Sequence, residues 1–163
     1  MRLVAVLLVG VLALTGCASS EAGTKDESKR LPDVTLQPLD DGDPVALAEL
    51  KGPMVINLWA SWCGPCKREL PKYQAFAEKY DGKVAVLGVD WQETREKAAR
   101  DLASDTGVTY PLVTDPEGQL RAQALPKIIL LAADGTIAYE KYVEIKSLEE
   151  LEELVEQHLK VTA

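Results

Sequence analysis

WASWCGPCKREL, residues 59–70, sets Cys63 and Cys66 apart by Gly64 and Pro65. Immediately before it, Met54-Val55-Ile56-Asn57-Leu58-Trp59 is an apolar run of strand length, broken only by Asn57 and entered through Gly52-Pro53. After it, Leu70, Tyr73, Phe76, Ala77 and Tyr80 recur at helical spacing. The stretch therefore joins a buried strand to a helix, with the first cysteine at the junction. Pro71 lies inside that helix and should kink it, because it lacks a backbone donor and its ring crowds the carbonyl four residues back.

Working outward, Leu31 to Leu47 alternates weakly around the turn residues Asp40-Asp41-Gly42-Asp43 and predicts a short hairpin. Val84 to Val89 predicts a second buried strand, Glu93 to Asp105 a helix with a polar face, and Tyr110 to Val113 a short edge strand. Asp115-Pro116-Glu117-Gly118 is a turn. Pro126 opens a strand over Ile128 to Leu131, and Asp134-Gly135 turns it back along Ile137 to Val143. A last helix runs from Ser147 to about Lys160. It is opened by the capping box Ser147-Leu148-Glu149-Glu150 and turns Leu148, Leu151, Leu154, Val155 and Leu159 inward. The order implies an α/β domain with a mixed central sheet, flanked by helices and preceded by a β-hairpin extension.

The 163 residues are 47% hydrophobic and 27% charged, the balance of one ordinary globular domain. Lys and Arg total 18 against 26 Asp and Glu, a net charge of −8 that disfavours nucleic acid and anionic lipid surfaces as partners. The N-terminus differs. Arg2 is followed by an apolar and small-residue run from Leu3 to Leu14, too short for the roughly 20 apolar residues of a membrane span and suited to an export signal. Leu14-Thr15-Gly16-Cys17 resembles the lipobox of bacterial lipoprotein signals. We expect a signal peptide over 1–16, lipidation at Cys17, a flexible tether over 17–30 and the folded domain over 31–163. That places the protein on the extracytoplasmic face of the cell membrane, anchored by lipid. An ordinary cleaved signal or a buried helix would share the apolar run.

A cysteine pair at this spacing can hold a metal, staple a loop or cycle between dithiol and disulfide. A zinc site needs three or four ligands. The only other cysteine is Cys17 and the only histidine is His158, at the end of the last helix, so no metal site is expected. A staple is chemically permitted outside the cytoplasm. It would close a tiny loop, however, and in the chain-entropy model stabilisation grows with loop length. Redox chemistry uses the neighbouring residues better. At a helix N-terminus, free backbone N–H groups and the helix dipole favour thiolate over thiol at Cys63. Cys66 lies one turn further in, and Pro65 suits a first-turn position where its missing N–H would have had no partner.

Trp59-Ala60-Ser61-Trp62-Cys63-Gly64-Pro65-Cys66-Lys67, with Pro71 five residues after the second cysteine, resembles the thioredoxin active site. Within that superfamily the chain is most similar to the membrane-anchored TlpA/ResA-like thiol-disulfide oxidoreductases. The narrower likeness rests on the segment from Leu31-Pro32-Asp33, on Glu69-Leu70-Pro71, and on the insert through Tyr110-Pro111-Leu112 to Asp115-Pro116-Glu117-Gly118. The resemblance implies a thioredoxin fold and catalytic Cys63 and Cys66 in a loop with Trp62, Gly64 and Pro65. It also implies a cis-proline at Leu125-Pro126, whose backbone receives an extended substrate segment. An ordinary strand-opening proline would also fit Pro126.

Three departures stand out. Asn57 occupies the place of a buried aspartate six residues before the first cysteine, and it cannot titrate. Lys127 replaces the threonine after the cis-proline, where a cation can stabilise the Cys63 thiolate or point to solvent. Gln119 to Leu125 is shorter than the family's usual approach to that proline and lacks its glycine.

The expected chemistry is reduction of disulfides in exported proteins, apocytochrome c among them, by thiol-disulfide exchange through the Cys63–Cys66 pair. No further cofactor is needed. A membrane thiol donor would re-reduce the pair, and the protein is expected to act as a monomer. Competing readings are a disulfide-forming oxidant, a peroxiredoxin-like peroxidase and a non-catalytic thioredoxin-fold binding module. Peroxidatic sites carry a threonine three residues before the cysteine; here that residue is Ala60.

Overall fold

The computed structural model describes residues 30–163. The expected signal peptide, the lipidation site Cys17 and all but the last residue of the tether lie outside the described residues. Seven strands form one mixed sheet: β1 Thr35–Pro38, β2 Val45–Ala46, β3 Met54–Trp59, β4 Ala85–Trp91, β5 Leu112–Asp115, β6 Lys127–Leu131 and β7 Ile137–Tyr142. Three helices accompany them: α1 Gly64–Lys79, α2 Glu96–Asp105 and α3 Leu148–Leu159. The strand order is β2-β1-β5-β4-β3-β6-β7.

β3, β4 and β5 run parallel, joined through α1 and α2. Right-handed crossovers in the same direction along a sheet place both helices on one face. There α1 contributes Tyr73, Phe76 and Tyr80, which pack with Val55, Val86, Ile128 and Leu130 and with Leu151 and Val155 of α3. Towards the C-terminal ends of the parallel strands, Trp59, Cys63, Cys66 and Leu70 pack with Ala99 and Ala103 of α2. The opposite face buries Ile56, Leu58, Leu87, Val89, Ile129 and Leu131 beneath Leu31, Leu36 and Leu47 of the N-terminal segment. Strands buried on both faces explain why β3 and β6 read as continuous apolar runs.

The hairpin extension forms, with β1 and β2 antiparallel. It changes the environment of β5. The local pattern predicts an edge strand over Tyr110 to Val113, but β5 covers Leu112–Asp115 and lies inside the sheet, because β1 pairs with it through Gln37–Thr114 and Pro38–Val113. β4 extends past Val89 to Trp91. α2 begins at Glu96 rather than Glu93, because the Glu93 carboxylate takes the N–H groups of Thr94 and Arg95 into a turn. α1 is continuous through Pro71.

At the start of α3 the Ser147 hydroxyl accepts the Glu150 N–H at 3.2 Å, as a capping box requires. The return bond differs by one residue: Glu150 accepts from the N–H of Lys146, not Ser147. His158 stacks on Tyr139, ring centroids 4.2 Å apart. No helix among the described residues is long and apolar enough to cross a membrane.

Candidate active site

β3 delivers the chain to Ala60-Ser61-Trp62, and Cys63 is the N-cap residue of α1. Its Sγ accepts a hydrogen bond from the Cys66 N–H at 3.2 Å. An acceptor at that position takes up one of the free donors of the first helical turn, and a thiolate accepts it more strongly than a thiol. The two cysteines form a disulfide. Cys63 is 5% exposed and Cys66 fully buried, whereas Trp62 is 50% exposed. A thiol released on reduction is thus reachable at Cys63 and sheltered at Cys66.

The Leu125–Pro126 peptide bond is cis. Leu125 packs against the apolar cluster that contains both cysteines, and Pro126 is buried. A second cis bond, Gly52–Pro53, precedes β3. Lys127 takes neither of the two directions expected of it. It is 7% exposed, its Nζ lies 2.7 Å from Glu140 Oε2 and 5.3 Å from the centroid of the Tyr142 ring, so it is spent within the β6–β7 pair. Asn57 is fully buried.

Two buried carboxyl groups that the sequence reading did not single out stand on the cysteine side of the sheet. Glu69, one helical turn after Cys66, is fully buried; Oε2 accepts the Ile145 N–H at 3.0 Å, and Oε1 has no partner among the described residues. Burial pushes its pKa up to about 8, against the opposing pull of the Ile145 N–H. Asp90, beside Trp59 in the sheet, is 1% exposed. Burial raises it to about 7, helped by the charges of Glu93 and Glu96. Such groups exchange protons near neutrality, which Asn57 cannot do. For Glu69 the signal was present: residues 66, 69, 70, 73 and 76 share one helical stripe, so this glutamate had to face inward.

Glu93 has a different role. Oε2 accepts the N–H of Ser61, two residues before Cys63, at 2.9 Å; Oε1 accepts the N–H groups of Thr94 at 3.0 Å and Arg95 at 2.8 Å. Its burial would by itself raise the pKa, yet the hydrogen bonds from Ser61, Arg95 and Thr94 together hold it below the usual carboxylate value. An ionised Glu93 thereby ties the cysteine loop to the turn before α2.

The model of the AhpC/TSA family matches residues 28–140. The thioredoxin-like protein YneN of Bacillus subtilis (strain 168) is 30% identical over 147 residues, covering 83% of this chain and 85% of that protein. Thiol-disulfide oxidoreductase ResA of Bacillus thuringiensis (strain Al Hakam) is 30% identical over 130 residues, covering 76% of this chain and 73% of its own. The crystal structure of a DsbF homologue from Corynebacterium diphtheriae matches with a TM-score of 0.67 at 26% identity, over 78% of this chain and 85% of that one. With a buried second cysteine, an N-capping first cysteine and these relatives, the chain belongs to the AhpC/TSA family and is a thioredoxin-fold thiol-disulfide oxidoreductase.

Proposed function

We propose that the protein reduces disulfides of exported proteins from the outer face of the cell membrane, held there by lipid on Cys17, with apocytochrome c a candidate substrate. The observation that carries the reductive chemistry is the Cys66 N–H directed at Cys63 Sγ at the start of α1. It stabilises a thiolate at the more accessible sulfur. That thiolate attacks one sulfur of the target disulfide; a mixed disulfide forms and the other target sulfur leaves as a thiolate, which takes a proton from water. Cys66 then loses its proton to water or to a neighbouring base and attacks Cys63. The Cys63–Cys66 bond forms, the second target sulfur leaves, and two electrons have passed to the substrate. Exchange of this kind needs no bound cofactor, and a membrane thiol donor returns the electrons. The protein works as a monomer, with Leu125 and Pro126 receiving the substrate strand and Trp62, Gly64 and Pro65 shaping the loop around Cys63.

Three experiments test this reading. In the full-length protein, Cys66→Ser should accumulate mixed disulfides with exported proteins through Cys63; a folded variant that traps none would overturn the order of attack. The reduction potential of the pair decides direction. A value near about −270 mV fits a reductant, and one near about −120 mV would make the protein an oxidant. Cys17→Ala should move the protein from the membrane fraction to the soluble one, and an unchanged distribution would remove the lipid anchor.

A further inference from the structure

Between β5 and β6 the chain forms neither helix nor strand over residues 116–126. Its first half is well tied. The Asp115 carboxylate accepts the N–H groups of Gln119 at 2.8 Å and Leu120 at 2.9 Å, and Arg121 N–H bonds the Gly118 carbonyl at 2.9 Å. From Ala122 to Pro126, among the described residues, one hydrogen bond holds the backbone: Gln123 N–H donates to the Tyr142 hydroxyl at 3.0 Å. The N–H and carbonyl of Leu125 make none among the described residues.

Tyr142 is placed for that bond by the sheet. It lies opposite Lys127 in the β6–β7 register, one strand from the residue that follows Pro126. Although 43% exposed, its ring is restrained at both ends. The buried Lys127 ammonium, paired with Glu140, sits 5.3 Å from the ring centroid, and the hydroxyl holds Gln123. A cation over an aromatic face is worth more when it is withdrawn from water.

We propose that Tyr142 is a positioning residue for the substrate strand. Its hydroxyl fixes Gln123, so that the free N–H and carbonyl of Leu125 meet an extended polypeptide at the cysteine pair. This deepens the reading of Cys63 and Cys66 as a dithiol that acts on protein disulfides, and rests on it. Strand addition draws its affinity from backbone hydrogen bonds. An edge already ordered spares the entropy of ordering it on binding. Loss of the Tyr142 bond should therefore weaken capture of polypeptide disulfides, whereas a small disulfide that needs no backbone edge should be affected less.

The test compares the full-length wild-type protein with Tyr142→Phe, which keeps the ring and removes the hydroxyl, using dithiothreitol as reductant and insulin or hydroxyethyl disulfide as acceptor. A net hydrogen bond corresponds to roughly two- to tenfold in an equilibrium constant. We expect KM for insulin to rise by roughly that factor with kcat little changed, a smaller effect on hydroxyethyl disulfide, and faster amide exchange at Gln123 without change in β6. Lys127→Met should shift the same readouts in the same direction. Equal losses on both disulfides, or Gln123 exchange identical to wild type, would overturn the proposal. A wild-type protein that reduces hydroxyethyl disulfide and not insulin would sink the protein-disulfide reading instead, and Gln123 exchange would still decide the part played by Tyr142.

Discussion

Glu69, in the second turn of α1, accepts the backbone N–H of Ile145, which lies just before α3, at 3.0 Å. The bond joins the helix that carries the cysteines to the last element of the fold across 76 positions of sequence. Ile145 is itself fully buried, so its N–H has no water to turn to and the carboxyl group is its partner.

The raised pKa of Glu69 makes stability depend on pH. Its folded value of about 8 lies above its ordinary value of 4.5. The folded state therefore holds the proton more tightly, and the contribution is full below about pH 4.5 and lost as pH rises to about 8. The swing is on the order of 5 kcal/mol as an upper figure. Glu69→Gln keeps an acceptor for Ile145 and cannot ionise. Urea unfolding between pH 5 and pH 8 should show wild type losing stability faster than the variant; parallel curves would refute the assignment.

Glu93→Gln should act in the opposite sense. The Glu93 pKa is depressed, so its contribution is present above about 4.5 and lost as pH falls through the lower folded value. Hydrogen bonds to a charged group are worth about 1.5–3 kcal/mol, and the amide cannot accept from Ser61, Thr94 and Arg95 with both of its ends. We expect a loss of about that size at pH 7, with faster amide exchange at Ser61. A variant as stable as wild type at pH 7 would show that the tie is dispensable.

Gly88 on β4 lies under the side chains of Trp59, Leu112 and Tyr110. A Cβ there would fall 3.1 Å from Trp59 Nε1, 3.1 Å from Tyr110 Cε2 and closer still to a Leu112 methyl group. Overpacking of this kind costs about 1–3 kcal/mol. Gly88→Ala should lower the urea midpoint accordingly, and because Trp59 packs with Cys63 and Cys66 it should also perturb the tryptophan fluorescence change on reduction. A midpoint equal to wild type would mean that Trp59 and Leu112 have room to shift.

Ala60, fully buried three residues before Cys63, offers no hydroxyl to a bound peroxide. Reduced protein should consume hydrogen peroxide no faster than a free thiol. A much higher rate would revive the peroxidase reading.

What the sequence by itself determined is local. The apolar run of Met54–Trp59, the cysteine spacing, Pro65 and the helical stripe from Cys66 to Tyr80 lie within one stretch, and short-range periodicity specifies a strand, a helix and a thiol at their junction. The turn at Asp134-Gly135 and the Ser147 cap were legible for the same reason. The tertiary structure decided what depends on partners distant in sequence. β5 became an inner strand because β1 pairs with it, and Lys127 turned away from the cysteines because Glu140 and Tyr142 stand across the sheet. The protonation of Glu69 and Asp90 belongs to this second kind: the helical stripe turns Glu69 inward, but a pKa is set by how much water the assembled fold removes from around the group, which periodicity does not report.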